Sequence, residues 1–308
     1  MTYLERSDSL KKRSNPKLIL PGCKSVIMVG IPYGLISQPT EANPEYKFAA
    51  YARFQDYHIV IPERLKVISS LISDISSGKY SCIISTDSAP FMEREFAQRA
   101  GLGWIGKNSC LISPHAGSLF LIAEILTDLE LPIDEPFTED FCGKCNQCIK
   151  ACPTGCIQPD RTLDARNCIS YLTIEHKGQI PIHLRSKIGK WIFGCDICQS
   201  VCPWNRKVID PRYNSLPRSN HDFGGNGLAE IINMNEENFQ ITYKKSPILR
   251  SKRQGLLRNA AVVMGNLSKR EYIPVLEKII TEEMNPVIRE QATWALEKIV
   301  GDHIPGGI

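Results

Sequence analysis

The sequence predicts an α/β domain, followed by a cysteine-rich module and by all-α helical repeats. Three observations lead to this prediction: β-branched runs alternate with a helical pattern near the N-terminus, nine of the 12 cysteines lie between residues 136 and 210, and a helical motif recurs near the C-terminus. The predicted boundaries are residues 1–135 for the α/β domain, 136–210 for the cysteine-rich module, 211–248 for a connecting segment and 249–308 for the repeats.

The overall composition is that of an ordinary globular protein. Of the 308 residues, 43% are hydrophobic and 23% are charged, and the net charge of +4 is too small to indicate nucleic-acid binding by itself. No signal peptide opens the sequence and no apolar run approaches about 18 residues, so we expect a cytoplasmic protein without a membrane contact. In a reducing compartment, clustered cysteines indicate metal ligands rather than disulfides.

The first part of the α/β domain is predicted from two strands and the helix between them. Residues 24–33, KSVIMVGIPY, and residues 80–86, YSCIIST, are β-branched runs bounded by turn residues. Residues 64–75 between them have the apolar spacing of a helix. This β-α-β order puts Asp87 at the carboxyl end of the second strand, where open α/β sheets bind their ligands.

A second helix and a hairpin are predicted to complete this domain. Pro90 suits the first turn of a helix that stops at Gly101. Residues 109–113 and 119–125 are apolar runs on either side of the turn sequence PHAGS, which is typical of a β-hairpin.

A glycine-rich turn, GLGWIGKN, lies between these elements. Residues 101–106 satisfy the G-x-G-x-x-G dinucleotide pattern, but they follow a helix, whereas that fingerprint requires a strand before the glycines. The overlapping phosphate-loop pattern fails too, because Asn108 stands where a Ser or Thr must bind magnesium. The glycines therefore indicate either a simple turn or a close backbone approach to a large ligand.

Two cysteine runs predict iron–sulfur clusters. FCGKCNQCIKACPTGC begins at Phe141 and has the order C-x2-C-x2-C-x3-C-P, and GCDICQSVCPWN begins at Gly194 and has C-x2-C-x3-C-P. Zinc sites usually take two separated C-x2-C pairs, whereas the first spacing is that of bacterial iron–sulfur proteins, in which the fourth cysteine ligates the other cluster. By this crossing rule one 4Fe-4S cluster takes Cys142, Cys145, Cys148 and Cys202, and the other takes Cys152, Cys195 and Cys198.

The second cluster lacks a fourth ligand by this count. Cys82 and Cys110 alternate within predicted strands, where cysteine is usually a small buried hydrophobe, and Cys23 is distant in sequence. Cys156 and Cys168 remain, and the spacing favours Cys168 because it lies between the two runs.

The C-terminal region predicts stacked helices. Residues 256–267 and 287–299 share an R-x-x-A core, with Arg258 and Arg289 at a spacing of 31 residues. Such a recurrence is typical of helical repeats of the HEAT kind.

These motifs together resemble the epoxyqueuosine reductase family. The resemblance rests on LPGCKSVI, YARFQDYH, TDSAPFMERE, AGLGWIGKN, both cysteine runs, CISYLTIEHKGQIP and SPILRSKRQGLLRNAAVVMGN. It implies a cobalamin-binding α/β domain that is short at its N-terminus relative to the family, a two-cubane ferredoxin-like module and HEAT-like helices. It also implies that Cys168 is the missing ligand.

The resemblance further implies a reaction, the reduction of epoxyqueuosine to queuosine at the tRNA wobble position, in the last step of queuosine synthesis. Electrons would pass from two 4Fe-4S clusters to cobalamin, and Asp87 would be the proton donor. The predicted cobalamin contacts are Arg13, Asp87, Ile105, Gly106, Lys107, Asn108 and Ser118. The alternatives are a two-cluster electron-transfer protein and a corrinoid reductive dehalogenase.

A basic stretch predicts the tRNA contacts. Residues 238–270 contain no Asp or Glu but eight Lys and Arg residues, which indicates phosphate binding once the resemblance is considered. The predicted tRNA contacts are Lys244, Lys245, Arg250, Lys252, Arg253 and Arg258. We expect a monomer whose partners are tRNA and an electron donor.

Overall fold

The computed structural model describes residues 6–33, 45–78, 80–206, 216–219 and 227–302. Its strands are β1 (Ser25–Pro32), β2 (Lys47–Phe48), β3 (Cys82–Ser85), β4 (Trp104–Ile105), β5 (Leu111–Ile112), β6 (Phe120–Thr127) and β7 (Trp191–Phe193). Its α-helices are α1 (Ser7–Ser14), α2 (Tyr57–Ile75), α3 (Glu93–Arg99), α4 (Gln147–Ala151), α5 (Ile169–Ile174), α6 (Ile182–Ile188), α7 (Ile197–Ser200), α8 (Leu228–Ile232), α9 (Glu236–Thr242), α10 (Lys252–Leu267), α11 (Ile273–Glu282) and α12 (Pro286–Asp302). Of the predicted connecting segment, residues 211–215 and 220–226 lie outside the described residues, and its described part contains α8 and α9.

The main sheet has the order β1-β6-β3, with β6 antiparallel to both of its neighbours. The β-α-β unit was predicted correctly in its elements, since β1 and β3 run parallel to each other and α2 connects them. The predicted hairpin is wrong, because its second strand is β6, which lies in the middle of the sheet. Only a short bridge between Ser113 and Gly117 remains of the expected pairing.

Each face of this sheet is covered by a helix. Ile61 and Leu65 of α2 pack with Ile125 on one face, and Ala97 of α3 packs with Met28 on the other. The helix predicted to begin at Pro90 in fact begins at Glu93, three residues later.

The cysteine-rich module is joined to the N-terminal part by a strand pair. β2 pairs in parallel with β7, and Ala50 N–H donates to Asp196 Oδ2 at 2.6 Å. Gly194 permits this approach, because a Cβ atom there would lie 2.4 Å from the Ala49 Cβ and its φ is +69°. The residues before and after the predicted boundary at residue 135 therefore pack against each other, although their sequence patterns differ.

The C-terminal helices α10, α11 and α12 pack on one another and on the cysteine-rich module. Their core is continuous with Phe48, Ile192 and Phe193. Gly265 lets α10 approach α12 closely, since a Cβ atom there would lie 2.7 Å from the Trp294 ring. The two R-x-x-A copies lie in α10 and α12; their description as HEAT-like repeats stays a prediction. In the described part of the chain, no helix has the length and apolarity needed to cross a membrane.

Candidate functional site

Asp87 lies in a cavity between the sheet and the cysteine-rich module. The cavity has a volume of about 310 Å³. Tyr51, Tyr57 and Phe193 supply aromatic walls, and Glu175 and Arg250 supply charged groups. The Tyr51 ring lies 6.0 Å from Tyr57 and 6.2 Å from Phe193 between centroids. The cavity therefore combines flat apolar walls with a few convergent polar groups, as ligand pockets do.

The Asp87 carboxyl is held by Tyr57. Asp87 is exposed and has a φ of +49°, a left-handed backbone that non-glycine residues rarely adopt outside special sites. The Tyr57 hydroxyl donates a hydrogen bond to Asp87 Oδ2 at 2.8 Å. Burial, and then the charge of Asp87, raise the pKa of the Tyr57 hydroxyl, so this group stays protonated and remains a donor.

A second carboxyl lies behind Asp87 in the centre of the sheet. Glu124 of β6 is fully buried and lies directly opposite Ser85 of β3. Burial, and then the neighbouring Glu93, raise the pKa of Glu124 to about 8. Glu124 is therefore protonated near neutral pH, and the sheet contains no buried charge at this point.

The first predicted ligand set surrounds one pocket. Cys142, Cys145, Cys148 and Cys202 all line a pocket of about 220 Å³. The Trp104 indole N–H donates to Cys142 Sγ at 3.4 Å, which orients this sulfur. Hydrogen bonds of this kind to cluster sulfur are among the features that set a reduction potential. The donor set and the enclosure fit a 4Fe-4S cluster.

The second predicted set lies next to the Asp87 cavity. Cys168 directly precedes α5, whose residues Ser170 and Tyr171 line that cavity, and Cys195 follows Phe193 by two residues. Cys156 is close as well, because its sulfur lies 3.4 Å from the Cys152 sulfur and it also hydrogen-bonds Cys168.

Hydrogen bonding by Cys156 lowers the pKa of Cys152 to about 4 and that of Cys168 to about 6, while the same contacts raise the pKa of Cys156. Cys110, which was not predicted to be a ligand, lies beside the second set, because its thiol hydrogen-bonds Cys198. Six thiols therefore lie near the second cluster position: Cys110, Cys152, Cys156, Cys168, Cys195 and Cys198.

Within the described ranges, no three His, Cys, Asp or Glu side chains converge as they would on a single metal ion. This is compatible with a four-iron cluster, because each cysteine of such a site ligates a different iron atom. The sulfur atoms then surround a volume instead of meeting at a point.

The predicted cobalamin contacts separate into two groups. Arg13 and Asp87 each lie close enough to Glu93 to influence its pKa electrostatically. Ile105 and Gly106 lie at the β4–β5 turn. Asn108 there lines the pocket of the first cysteine set, and its buried Nδ2 has no protein partner in the described structure. Such a buried donor fits a ligand with amide oxygens, as cobalamin has.

Two of the predicted cobalamin contacts have other partners. The Lys107 ammonium donates to Gly143 O, Cys145 O and Asn146 Oδ1, so all three of its hydrogens hold the first cysteine loop. Ser118 donates to Gln199 Oε1 and accepts from Asn205 Nδ2, which ties β6 to the second cysteine run. Lys107 and Ser118 therefore have a structural role here, and we do not retain them as cobalamin contacts.

The basic stretch is less uniform in space than in sequence. Arg250 pairs with Glu175 at 2.7 Å, and Arg253 pairs with Glu283 and donates to Met234 O. Glu175 and Glu283 lie outside the acid-free stretch, so the sequence pattern could not reveal these pairs. The exposed cations Lys244, Lys245 and Lys252 remain as the strongest candidates for phosphate contacts.

The prediction that Arg258 contacts tRNA is wrong. Its side chain is fully buried in α10. Its guanidinium donates to the carbonyl oxygens of Leu172, His176 and Gly178 and to the Asn259 side chain. Arg258 therefore fixes the end of α5 instead of facing solvent.

Sequence reasoning missed several residues of the cavity. Tyr51, Tyr57, Glu175 and Phe193 were not singled out. The strings YARFQDYH and CISYLTIEHK, on which the family resemblance partly rests, contain three of these four residues and could have indicated them.

The chain is similar to known proteins over most of its length. Residues 141–205 match the family model described as 4Fe-4S double cluster binding domain, and residues 13–88 match that described as Epoxyqueuosine reductase QueG, DUF1730. The chain is 39% identical over 304 residues to the epoxyqueuosine reductase of Pseudomonas aeruginosa, covering 97% of this chain and 82% of that protein.

Two solved structures are also similar. A crystal structure of epoxyqueuosine reductase with a tRNA-Tyr epoxyqueuosine-modified stem loop has a TM-score of 0.81 at 28% identity, over 97% of this chain and 81% of that chain. The Bacillus subtilis epoxyqueuosine reductase, with a catalytic aspartate loop swung out of the active site, has a TM-score of 0.79 at 29% identity, over 94% and 77% of the two chains.

Proposed function

The chain belongs to the epoxyqueuosine reductase family and reduces epoxyqueuosine to queuosine in tRNA, and we propose that it does so in the Asp87 cavity with the help of cobalamin. The observation that carries this proposal is the Tyr57–Asp87 hydrogen bond at 2.8 Å inside a cavity that adjoins the second cysteine set. The alternatives, a two-cluster electron carrier and a reductive dehalogenase, are not favoured by the comparisons.

The double-cluster domain supplies electrons one at a time. We assign one cluster to Cys142, Cys145, Cys148 and Cys202 and the other to Cys152, Cys168, Cys195 and Cys198. The second set adjoins the cavity, because α5 begins directly after Cys168 and lines it. Electrons would therefore pass from the second cluster toward the Asp87 cavity.

Cobalamin would be held by Arg13, Asp87, Ile105, Gly106 and Asn108. The unpartnered Nδ2 of Asn108 supports this choice, because the amide side chains of the corrin offer acceptor oxygens, although Asn108 lines the first cysteine pocket and not the Asp87 cavity itself. When bound, this cofactor supplies redox chemistry at cobalt that no amino-acid side chain can perform.

Asp87 supplies a proton at the substrate oxygen. Two electrons and two protons convert the epoxide to an alkene and water, and the departing oxygen is a poor leaving group until it is protonated. Because the Tyr57 hydroxyl donates to Oδ2 of Asp87, the transferable proton belongs on the other carboxyl oxygen. The catalytic aspartate loop of the Bacillus subtilis relative supports this role.

The cobalamin part of this proposal has a direct test. Full-length protein with reconstituted clusters is expected to retain about one cobalamin per chain through gel filtration, with a change in its visible spectrum. Queuosine formation, followed by mass spectrometry of digested tRNA, should depend on that cobalamin. Equal turnover by carefully cobalamin-free protein would remove cobalamin from the reaction.

The basic surface has a second test. Replacing Lys244, Lys245 and Lys252 together by Gln should weaken tRNA binding and flatten its salt dependence, because each lost phosphate contact removes roughly 0.7 to 0.9 from the slope of log K against log salt. Lys278→Gln is the control, since Lys278 lies in α11 beside Glu282. An unchanged slope in the triple variant would place the tRNA contacts elsewhere.

A further inference from the structure

The Asp87 cavity contains a carboxylate that the reaction does not use. Glu175 follows the last turn of α5, and its side chain is 25% exposed. Arg250 donates to it through Nε at 2.7 Å and Nη2 at 3.3 Å, but the Arg250 side chain is 62% exposed. An ion pair with such an exposed partner adds little to stability.

A carboxylate at this place is unfavourable for tRNA binding in general. RNA is a polyanion, and the exposed Lys177, whose ammonium donates to Arg250 O, lies close to Glu175 in the chain. A carboxylate inside the substrate cavity therefore repels RNA, unless the bound base offers hydrogen-bond donors to that carboxylate. Such a group is a means of discrimination between bases.

The substrate offers the matching donors. Queuosine and its epoxide are 7-deazaguanosines, so their Watson–Crick edge presents the N1–H and the N2 amino group, as guanine does. A carboxylate has about four acceptor sites, so it can accept both donors and keep a bond from Arg250. Adenine has an acceptor at N1 and no amino group at C2, and it would face the carboxylate with a lone pair.

The geometry of the cavity suits a base that has left the helical stack. Enzymes that act on a base commonly take it into a pocket where aromatic side chains stack on it and polar groups read its edge. Tyr51, Tyr57 and Phe193 provide the aromatic walls, and Asp87 lines the same cavity as Glu175. The base edge and the reacting side chain of one nucleotide could thus be bound together.

We propose that Glu175 accepts hydrogen bonds from N1–H and the N2 amino group of the wobble base, and so selects guanine-type bases. This inference rests on the proposed function and names the specificity residue of its site. Arg250 remains beside Glu175 and orients the carboxylate.

The test compares binding of three anticodon stem-loop RNAs by the cluster-loaded, cobalamin-loaded full chain. They carry guanine, hypoxanthine or adenine at the wobble position, and fluorescence anisotropy gives each Kd. The wild type should bind the guanine form at least about tenfold more tightly than the adenine form, with hypoxanthine between them because it lacks only the amino group. Glu175→Gln should remove most of this preference while leaving the adenine form unchanged.

Glu283→Gln is the matched control. Glu283 pairs with Arg253, just as Glu175 pairs with Arg250, and both arginines belong to the basic stretch. Glu283, however, does not line the cavity. This variant should keep the wild-type preference. Iron content per chain checks that both variants are folded and loaded.

Two outcomes would overturn the inference. The first is a guanine-to-adenine ratio near one in the wild type, or the same ratio in Glu175→Gln as in the wild type. The second concerns Arg250. If Arg250→Gln alone loses the guanine-to-adenine preference, and the double variant with Glu175→Gln has the same ratio, then Glu175 acts only through Arg250. Queuosine formation by the wild type is measured separately, so failure of the proposed reaction is distinguishable from failure of this base contact.

Discussion

Asp87→Asn is expected to convert epoxyqueuosine to queuosine at least about 100-fold more slowly than the wild type, because general acid catalysis typically contributes about 100- to 10,000-fold. The amide keeps the shape of the side chain, and its oxygen can still accept the hydrogen bond from Tyr57. It cannot donate a proton to the departing oxygen in the way a carboxylic acid does. Single-turnover assays with mass spectrometry of digested tRNA measure this loss.

The same variant should keep its cofactors and its substrate affinity. Iron content, cobalamin content and the Kd for tRNA are expected to be close to those of the wild type. Asp128→Asn is a suitable control, since Asp128 lies at the opposite end of β3, where its Oδ1 accepts from Ser81 N–H. Near-normal turnover by Asp87→Asn would return Asp87 to the role of a turn residue.

Cys168→Ala is expected to lose one cluster and with it all queuosine formation. Iron should fall from about eight to about four atoms per chain, because a cubane needs four ligands and the first set is separate. The loss also breaks the electron path, since α5 connects Cys168 to the cavity wall. Iron analysis and the electron paramagnetic resonance signal of the reduced protein measure the effect.

Cys156→Ala is the decisive companion variant. Cys156 is 3.4 Å from Cys152 and buried, so it competes with Cys168 for the fourth ligand position. We expect Cys156→Ala to keep about eight iron atoms, because its thiol only hydrogen-bonds the neighbouring ligands. If Cys156→Ala loses four iron atoms and Cys168→Ala does not, the ligand assignment is wrong.

The parts of the fold that depend on local sequence were predictable. The β-branched run at 24–33 became β1, the run at 80–86 contains β3, and Asp87 follows β3 as expected. The position of β6 was not predictable, because an apolar strand pairs with whichever partner buries its faces. Nothing in the local pattern shows that β1 and β3 were both better partners than β5.

The site was predictable where spacing encodes geometry. The first cysteine set occupies one pocket, as the crossing rule requires. The roles of Arg250 and Arg258 were not predictable, because their partners Glu175 and Leu172 lie 75 and 86 residues away in sequence. An acid-free stretch is a property of the sequence, whereas ion pairing and burial are properties of the fold.

The central position of β6 also bears on how the protein is made. During synthesis β1 and β3 emerge first, but neither has its hydrogen-bond partner until residues 120–127 follow, roughly 35 residues after β3. At about 5 to 20 residues per second the nascent chain exposes two unpaired strand edges for on the order of seconds. Such edges are prone to aggregation, so during this interval the nascent chain is exposed to pairing with other chains.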